Sequence, residues 1–265
     1  MLSGLIMPTA GSLRVLGYEP FQRAKDFRRQ ISLVMGQKSQ LWWDIPALDS
    51  LELLRAYYEV PREGFEARIR ELSEALGVAG VLRTHVRKLS LGERMKMELM
   101  ASLLHNPKVL YLDEPTIGLD VVAQVAIRDF LLQFHRTHGT TIILTSHYMA
   151  DVEALCDRII LILGGRKRFD GPISRFQGLL GADKTLSLRF KEPVSAHDHY
   201  FDSFDPAWSD DRTRVELRIP AENITEIMRH LLSHYTLLEF GTEQTPIERV
   251  MHSILANPEL LEAQP

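Results

Sequence analysis

A chain of 265 residues, 45% apolar and 25% charged, has the composition of an ordinary globular protein, with length for one large domain or one domain plus an appendage. A formal net charge of −4 supplies no polycationic surface, which argues against nucleic acid as the principal partner. The lone Cys156 excludes an internal disulfide and suits a cytosolic chain; no apolar run approaches the roughly 18 to 20 residues that span a bilayer, so a membrane role has to run through a partner.

Taken in order, residues 1–6 read as the tail of a helix, because Gly4 and Pro8 punctuate them and no capping residue comes first. Residues 12–17 alternate as a half-buried strand, residues 21–29 are charged and helical, and Ile31 to Met35 form a more buried strand that delivers Gly36 and Gln37 to a loop. After Trp42 and Trp43, Leu48, Leu51, Leu54, Tyr57 and Tyr58 have helical spacing, and a second helix covers about residues 63–76. A short apolar strand at 109–112 is followed by a helix at 121–138, which Gly139 ends. The β-branched run 140–144 then predicts a parallel strand buried on both faces. A helix at 149–156 and strands at 158–163 and 166–169 close this region. Beyond Pro172 the order strand, strand, helix, strand, helix predicts an α+β appendage of roughly 80 residues.

The chemistry concentrates between Lys88 and Asp120, KLSLGERMKMELMASLLHNPKVLYLDEPTIGLD. Four apolar residues, Val109 to Leu112, bury a strand and leave Asp113 and Glu114 at its C-terminal edge, where α/β sheets place ligands. Asp113 suits a hard cation such as Mg²⁺, and Glu114, one position on, can orient or deprotonate a water. An isolated apolar run ending in two acids is more often a plain strand end. Ser90-Leu91-Gly92-Glu93 satisfies a capping box, which is a sufficient structural explanation; the same exposed amides at a helix start also suit a phosphate. Met95, Met97, Met100 and Leu103 read as core. His147 follows the strand that should neighbour the Asp113 strand, from which it can reach a terminal phosphate. Gln37, at another strand end, can meet a metal or a water, although a strict count puts Gly36 there.

Together these pieces resemble the ATP-binding cassette (ABC) ATPases. LSLGE is similar to their signature motif, VLYLDE to their Walker B strand with its catalytic glutamate, Gly118 to Asp120 to their D-loop, and TSH to their switch histidine. GQKSQLWWD and the LSLGE variant are closer to the ATPase subunits of ABC-2 type exporters. Leu91 in place of glycine and Glu93 in place of glutamine depart from the commoner signature.

The resemblance implies an α/β fold: a P-loop NTPase-like ABC ATPase domain, incomplete at its N-terminus, over residues 1–175 (core 1–36 and 105–175, all-helical subdomain 37–104), and a small C-terminal α+β domain over 181–265. It implies ATP and Mg²⁺ as ligands, with Glu114 and His147 catalytic, Asp113 and Gln37 at the metal, and Leu89, Ser90, Leu91, Gly92, Glu93 and Asp120 lining a nucleotide held by a second ATP-binding subunit. The pair, a homo- or heterodimer, would sit on ABC-2 type permease subunits at the cytoplasmic face of the membrane, with the segment 37–45 touching them. Trp42 and Trp43 suit that contact or the core of the helical subdomain equally.

The opening MLSGLIMPTAG is similar to the tail of the helix that follows a GxxxxGKS/T phosphate cradle. The cradle itself is then missing, and a start codon chosen too late is the simplest expectation. On that reading the polypeptide alone hydrolyses negligible ATP, and its strand edge beside the missing strand is unpaired. The alternative is a non-hydrolysing partner that lends its signature helix to a complete subunit. His197 and His199 are too isolated to make a metal site.

Overall fold

The computed structural model describes residues 1–36, 38–180, 183–220, 223–244, 247–257 and 261. They form two compact units, Met1–Leu155 and Cys156–Pro265. The first contains α1 (Lys25–Arg28), β1 (Ile31–Met35), α2 (Ala47–Tyr58), α3 (Arg62–Ala75), α4 (Leu91–Leu103), β2 (Val109–Asp113), α5 (Val121–His138), β3 (Thr141–Thr145) and α6 (Met149–Leu155). The second contains β4 (Arg158–Leu163), β5 (Arg166–Pro172), α7 (Ile173–Gln177), β6 (Asp183–Phe190), β7 (Ala207–Trp208), β8 (Arg214–Pro220), α8 (Ile224–His234), β9 (Leu237–Gln244) and α9 (Ile247–Ala256).

In the first unit β1, β2 and β3 form a parallel sheet in that order, with Met35, Asp113 and Thr145 in register at its C-terminal edge. Parallel strands put apolar residues on both faces, and β2 does so by strict alternation. Leu110 and Leu112 join Val34, Leu99, Leu103, Ile127 and Leu131 in the main core, whereas Val109 and Tyr111 meet Phe27 and Ile31 on the other face. The core methionines Met95, Met97 and Met100 are at most 3% exposed, as their spacing predicts. β3 differs from its expectation: it is an edge strand, and Ile143 is 39% exposed. A β-branched run records a preference for burial, but layers packed on a sheet cover its faces: Ile142 and Leu144 pack partly against the main core, while Ile143 points to the opposite, less covered face.

Two N-terminal expectations are corrected. Residues 1–6 form no helix; Gly4 N closes a turn on the Met1 carbonyl at 2.9 Å, and Gly4 lies in the left-handed region (φ 78°). The strand expected at 12–17 is instead a tight turn in which Val15 and Tyr18 exchange two backbone hydrogen bonds, at 2.9 and 3.0 Å, around Leu16 (φ 52°) and Gly17 (φ 83°). Two positive φ values in succession reverse the chain within two residues, so the alternation of Leu13 and Val15 never meets a partner strand.

In the second unit β4 and β5 pair as an antiparallel hairpin, and β7-β8-β6-β9 form a separate sheet. Leu186, Leu188, Val215, Leu217 and Ile219 point from that sheet onto Ile227 and Leu231 of α8 and onto Phe201. The strand and helix order expected beyond Pro172 is therefore present, with the five-residue α7 added ahead of it and the two-residue β7 within it. The hairpin, grouped in the sequence reading with residues 1–175, falls in the second compact unit.

Candidate functional site

Two backbone hydrogen bonds hold the strand ends together and a third turns the chain at the end of β1. Gly36 N donates to the Asp113 carbonyl at 2.8 Å, Glu114 N donates to the Thr145 carbonyl at 3.0 Å, and Lys38 N turns back to the Met35 carbonyl at 3.0 Å. Asp113 is exposed, and one of its carboxylate oxygens, Oδ1, accepts from Thr145 Oγ1 at 2.6 Å. No described residue occupies its other oxygen. Gln37 lies outside the described residues.

Glu114 adopts φ 53°, a left-handed conformation that costs a non-glycine residue about 1 to 3 kcal/mol and is retained where surrounding structure demands it. The backbone reversal sends its side chain across to the next strand end. Its Oε2 accepts from His147 Nδ1 at 2.8 Å and from the His147 amide at 3.3 Å. The two side chains are 29% and 55% exposed, so the pair sits at a surface that a ligand can reach.

Gly36 permits this arrangement. A Cβ at that position would lie 2.2 Å from the Glu114 carbonyl oxygen. Overpacking of that kind forces backbone to move, and Gly36→Ala is expected to lower stability by about 1 to 3 kcal/mol, read as a fall in the urea midpoint. Gly64, in α3 with nothing within 4 Å of its virtual Cβ, is the control: Gly64→Ala should leave the midpoint level or raise it.

Below the Glu114–His147 pair lies a residue that the sequence did not single out. Asp151 is fully buried, accepts from Thr116 Oγ1 and from Ser146 Oγ (3.2 Å), and is paired with Arg128 NH1 at 3.2 Å. Thr116 is two positions beyond Glu114, and Ser146 immediately precedes His147. One carboxylate thus anchors both turns that present the exposed pair. In sequence it is a single Asp near a helix start, a position where acids are common for reasons unrelated to any site.

The second group lies at the head of α4. Ser90 Oγ accepts from Glu93 N at 3.2 Å, and Ser90 N donates to Glu93 Oε2 at 2.8 Å, so the capping box forms as its spacing predicts. Leu89 is half-buried, while Ser90 and Leu91 are exposed. A Cβ on Gly92 would stand 3.1 Å from the Ala123 Cβ, and one on Gly118 would stand 3.4 Å from Leu91 Cδ2, so this turn packs directly against the start of α5. Asp120 caps α5 by accepting from Ala123 N at 2.8 Å. Ser90, Leu91, Gly92, Glu93 and Asp120 are therefore gathered at one place, and Asp113, Glu114 and His147 at another. Among the described residues no hydrogen bond or ion pair joins the two groups.

A family profile described as "ABC transporter" matches residues 1–117. The chain is 30% identical over 190 residues to the ABC transporter ATP-binding protein NatA of Bacillus subtilis, covering 72% of this chain and 76% of that protein. It is 33% identical over 184 residues to the daunorubicin resistance ATP-binding protein DrrA3 of Streptomyces coeruleorubidus, covering 69% of this chain and 58% of that protein. Human ATP-binding cassette sub-family A member 10 is 28% identical over 98% of this chain, which spans only 18% of that much longer protein. Among solved structures, an ATP-binding subunit of an ABC transporter superposes with a TM-score of 0.60 at 22% identity, over 68% of this chain and 74% of that one, which establishes the fold. A second, cbiO1 from Clostridium perfringens, described as part of the ABC transporter complex cbiONQ, gives 0.58 at 23% identity, over 64% of this chain and 69% of that one. With a parallel sheet presenting Asp113, Glu114 and His147 at one edge, and a relative 30% identical along three quarters of its own length, this chain belongs to the ATP-binding subunits of ABC transporters.

Proposed function

We propose that the chain is the ATP-binding and ATP-hydrolysing subunit of an ABC-2 type exporter, in which closure of an ATPase pair on ATP drives the permease subunits. The observation that carries this reading is the Glu114–His147 contact, 2.8 Å, at the exposed edge shared with Asp113. Pairing holds both side chains over that edge. When a phosphate competes for His147, Glu114 Oε2 is released to accept a proton from an attacking water, while His147 steadies the phosphate. Asp113 fits Mg²⁺, because it offers an exposed carboxylate with one oxygen not occupied by any described residue, and Gln37 is the second candidate there. When bound, Mg²⁺ neutralises charge on the phosphate oxygens. Ser90 and Gly92, with Leu89, Leu91 and Glu93 around them and Asp120 at the seam, serve the nucleotide of a second ATP-binding subunit.

The partners on this reading are that second subunit, identical or not, and ABC-2 permease subunits at the cytoplasmic face of the membrane. None of the described helices is long and apolar enough to cross a bilayer. Export is supported by the GQKSQLWWD and LSLGE resemblance and by a relative named for daunorubicin resistance.

A second reading has its own observation. The signature turn is fully formed by the capping box of Ser90 and Glu93, with no hydrogen bond or ion pair among the described residues tying it to Asp113, Glu114 or His147. A chain that binds no ATP of its own can still lend Ser90 and Gly92 to a complete subunit. Both readings expect the 265-residue polypeptide alone to turn over ATP at below about 1% of an ordinary kcat near 10 s⁻¹. Phosphate release measured on the chain extended at its N-terminus by a cradle, then on the 265-residue chain mixed with a cradle-bearing subunit, separates them. Turnover of the extended chain that Glu114→Gln abolishes supports the first, turnover of the mixture that needs Ser90 but not Glu114 of this chain supports the second, and none in either preparation defeats both.

A further inference from the structure

Glu98 takes no part in the strand-edge chemistry, yet it is 3% exposed in the middle of α4, and burial pushes its carboxyl above the usual carboxylate range. A buried carboxylate is tolerated when donors meet both of its oxygens. Here Ser39 Oγ donates to Oε1, Gln40 N donates to Oε2 at 3.1 Å, and Gln40 Nε2 donates to the Glu98 carbonyl at 3.2 Å. Ser39 Oγ also accepts from the Leu41 amide at 3.1 Å, and Leu41 enters the main core. The next two residues, Trp42 and Trp43, are each 48% exposed. Arg94 of α4 places its guanidinium 5.3 Å from the centre of the Trp43 ring.

Ser90, Arg94 and Glu98 recur every fourth residue, so they lie along one face of α4 from its head to its middle. Segment 39–43, two positions beyond Gln37, is gripped along that line at two levels. At Glu98 the donors all come from the segment and the acceptors from the helix, which is the pattern of a docked strap and not of a residue that merely fills the core. Trp42 N adds a bond to Ser50 Oγ at 3.1 Å, and the Trp43 carbonyl accepts one from Arg87 N at 3.1 Å.

We propose that Glu98 is a positioning residue that fixes segment 39–43 to α4, so that contact made at Ser90–Gly92 is carried along a rigid helix to the exposed tryptophan pair. The meaning of contact at Ser90 rests on the function proposed above; the attachment does not.

Amide hydrogen exchange on the full 265-residue chain without nucleotide tests the attachment. Glu98→Leu, which keeps volume and removes both acceptors, should speed exchange at Gln40 and Leu41 by about tenfold or more while the Trp42 amide, which donates to Ser50 Oγ at 3.1 Å, and the β2 amides hold their rates. Glu98→Gln, which keeps the reach and one acceptor, should stay within about threefold of the parent. Unchanged exchange in Glu98→Leu overturns the proposal. Should that variant loosen the whole first unit, Ser39→Ala decides: faster exchange at Gln40 and Leu41 alone supports the attachment, and none refutes it. For the relay, removing the cap with Ser90→Ala and Glu93→Ala should shift tryptophan emission, a shift that Trp43→Phe in the same background abolishes; an unmoved spectrum sinks it. Absent ATP turnover in an assembled complex would defeat the reading of Ser90 and leave the exchange result standing.

Discussion

Glu114→Gln, in the chain given a GxxxxGKS/T cradle of its own by N-terminal extension and paired with a second copy carrying the same change, lowers kcat for ATP hydrolysis by about 100- to 10,000-fold and leaves KM nearly unchanged. The side chain keeps its shape, so an amide oxygen can still accept from His147 Nδ1, the contact now 2.8 Å long. What is lost is the capacity to take a proton, which matters only in the transition state; hence the split between kcat and KM. His147→Ala should also lower kcat, but through the phosphate contact, so it should raise KM as well. Steady-state kinetics of the two variants side by side check the assignment. If Glu114→Gln retains more than half of the parental kcat, the carboxylate is not the base and its pairing with His147 serves only the fold.

Asp151→Ala should destabilise the first unit by about 3 kcal/mol, the lower end of the range for breaking a buried pair, because Arg128 keeps 15% exposure and recovers part of its hydration. The cost arises from groups left without a partner: the Arg128 guanidinium and the Thr116 and Ser146 hydroxyls all lose their shared acceptor. Urea unfolding followed by circular dichroism measures it. Asp151→Asn should fall between the parent and Ala, since an amide oxygen still accepts from one hydroxyl but offers Arg128 no charge. Both changes should also disorder the turns that carry Glu114 and His147, visible as lost protection of the His147 amide. An Asp151→Ala protein with parental stability would mean that Arg128 and the two hydroxyls find water at no cost.

The two groups of site residues were legible in the sequence to different degrees. The capping box at Ser90 and the acid pair after Leu112 obey local rules: a helix start needs acceptors for its first amides, and a four-residue apolar run must end at the sheet edge. Their geometry follows from a few neighbouring residues. Glu114 was legible as a residue but not as a conformation, because its positive φ exists only where Gly36 lets a second strand end approach its carbonyl. Asp151 and Glu98 were not legible at all, since a buried carboxylate announces itself through its donors, which lie 5, 23 and 35 positions away for Asp151 and 58 or 59 for Glu98.

The same division runs through the fold. Residues alone were sufficient for β1, β2, α4, α5 and the strand and helix order of the second unit, where apolar period, caps and Gly139 all point one way. They misled at 12–17, where alternation needed a partner strand to be realised, and on the burial of 140–144, where β-branching needed a covering layer on both faces. Period and capping energies act within a turn or two of chain, so composition and order encode the elements and the motif. Burial, strand pairing and the meeting of Glu114 with His147 depend on segments distant in sequence, and those only the packed tertiary structure brings together.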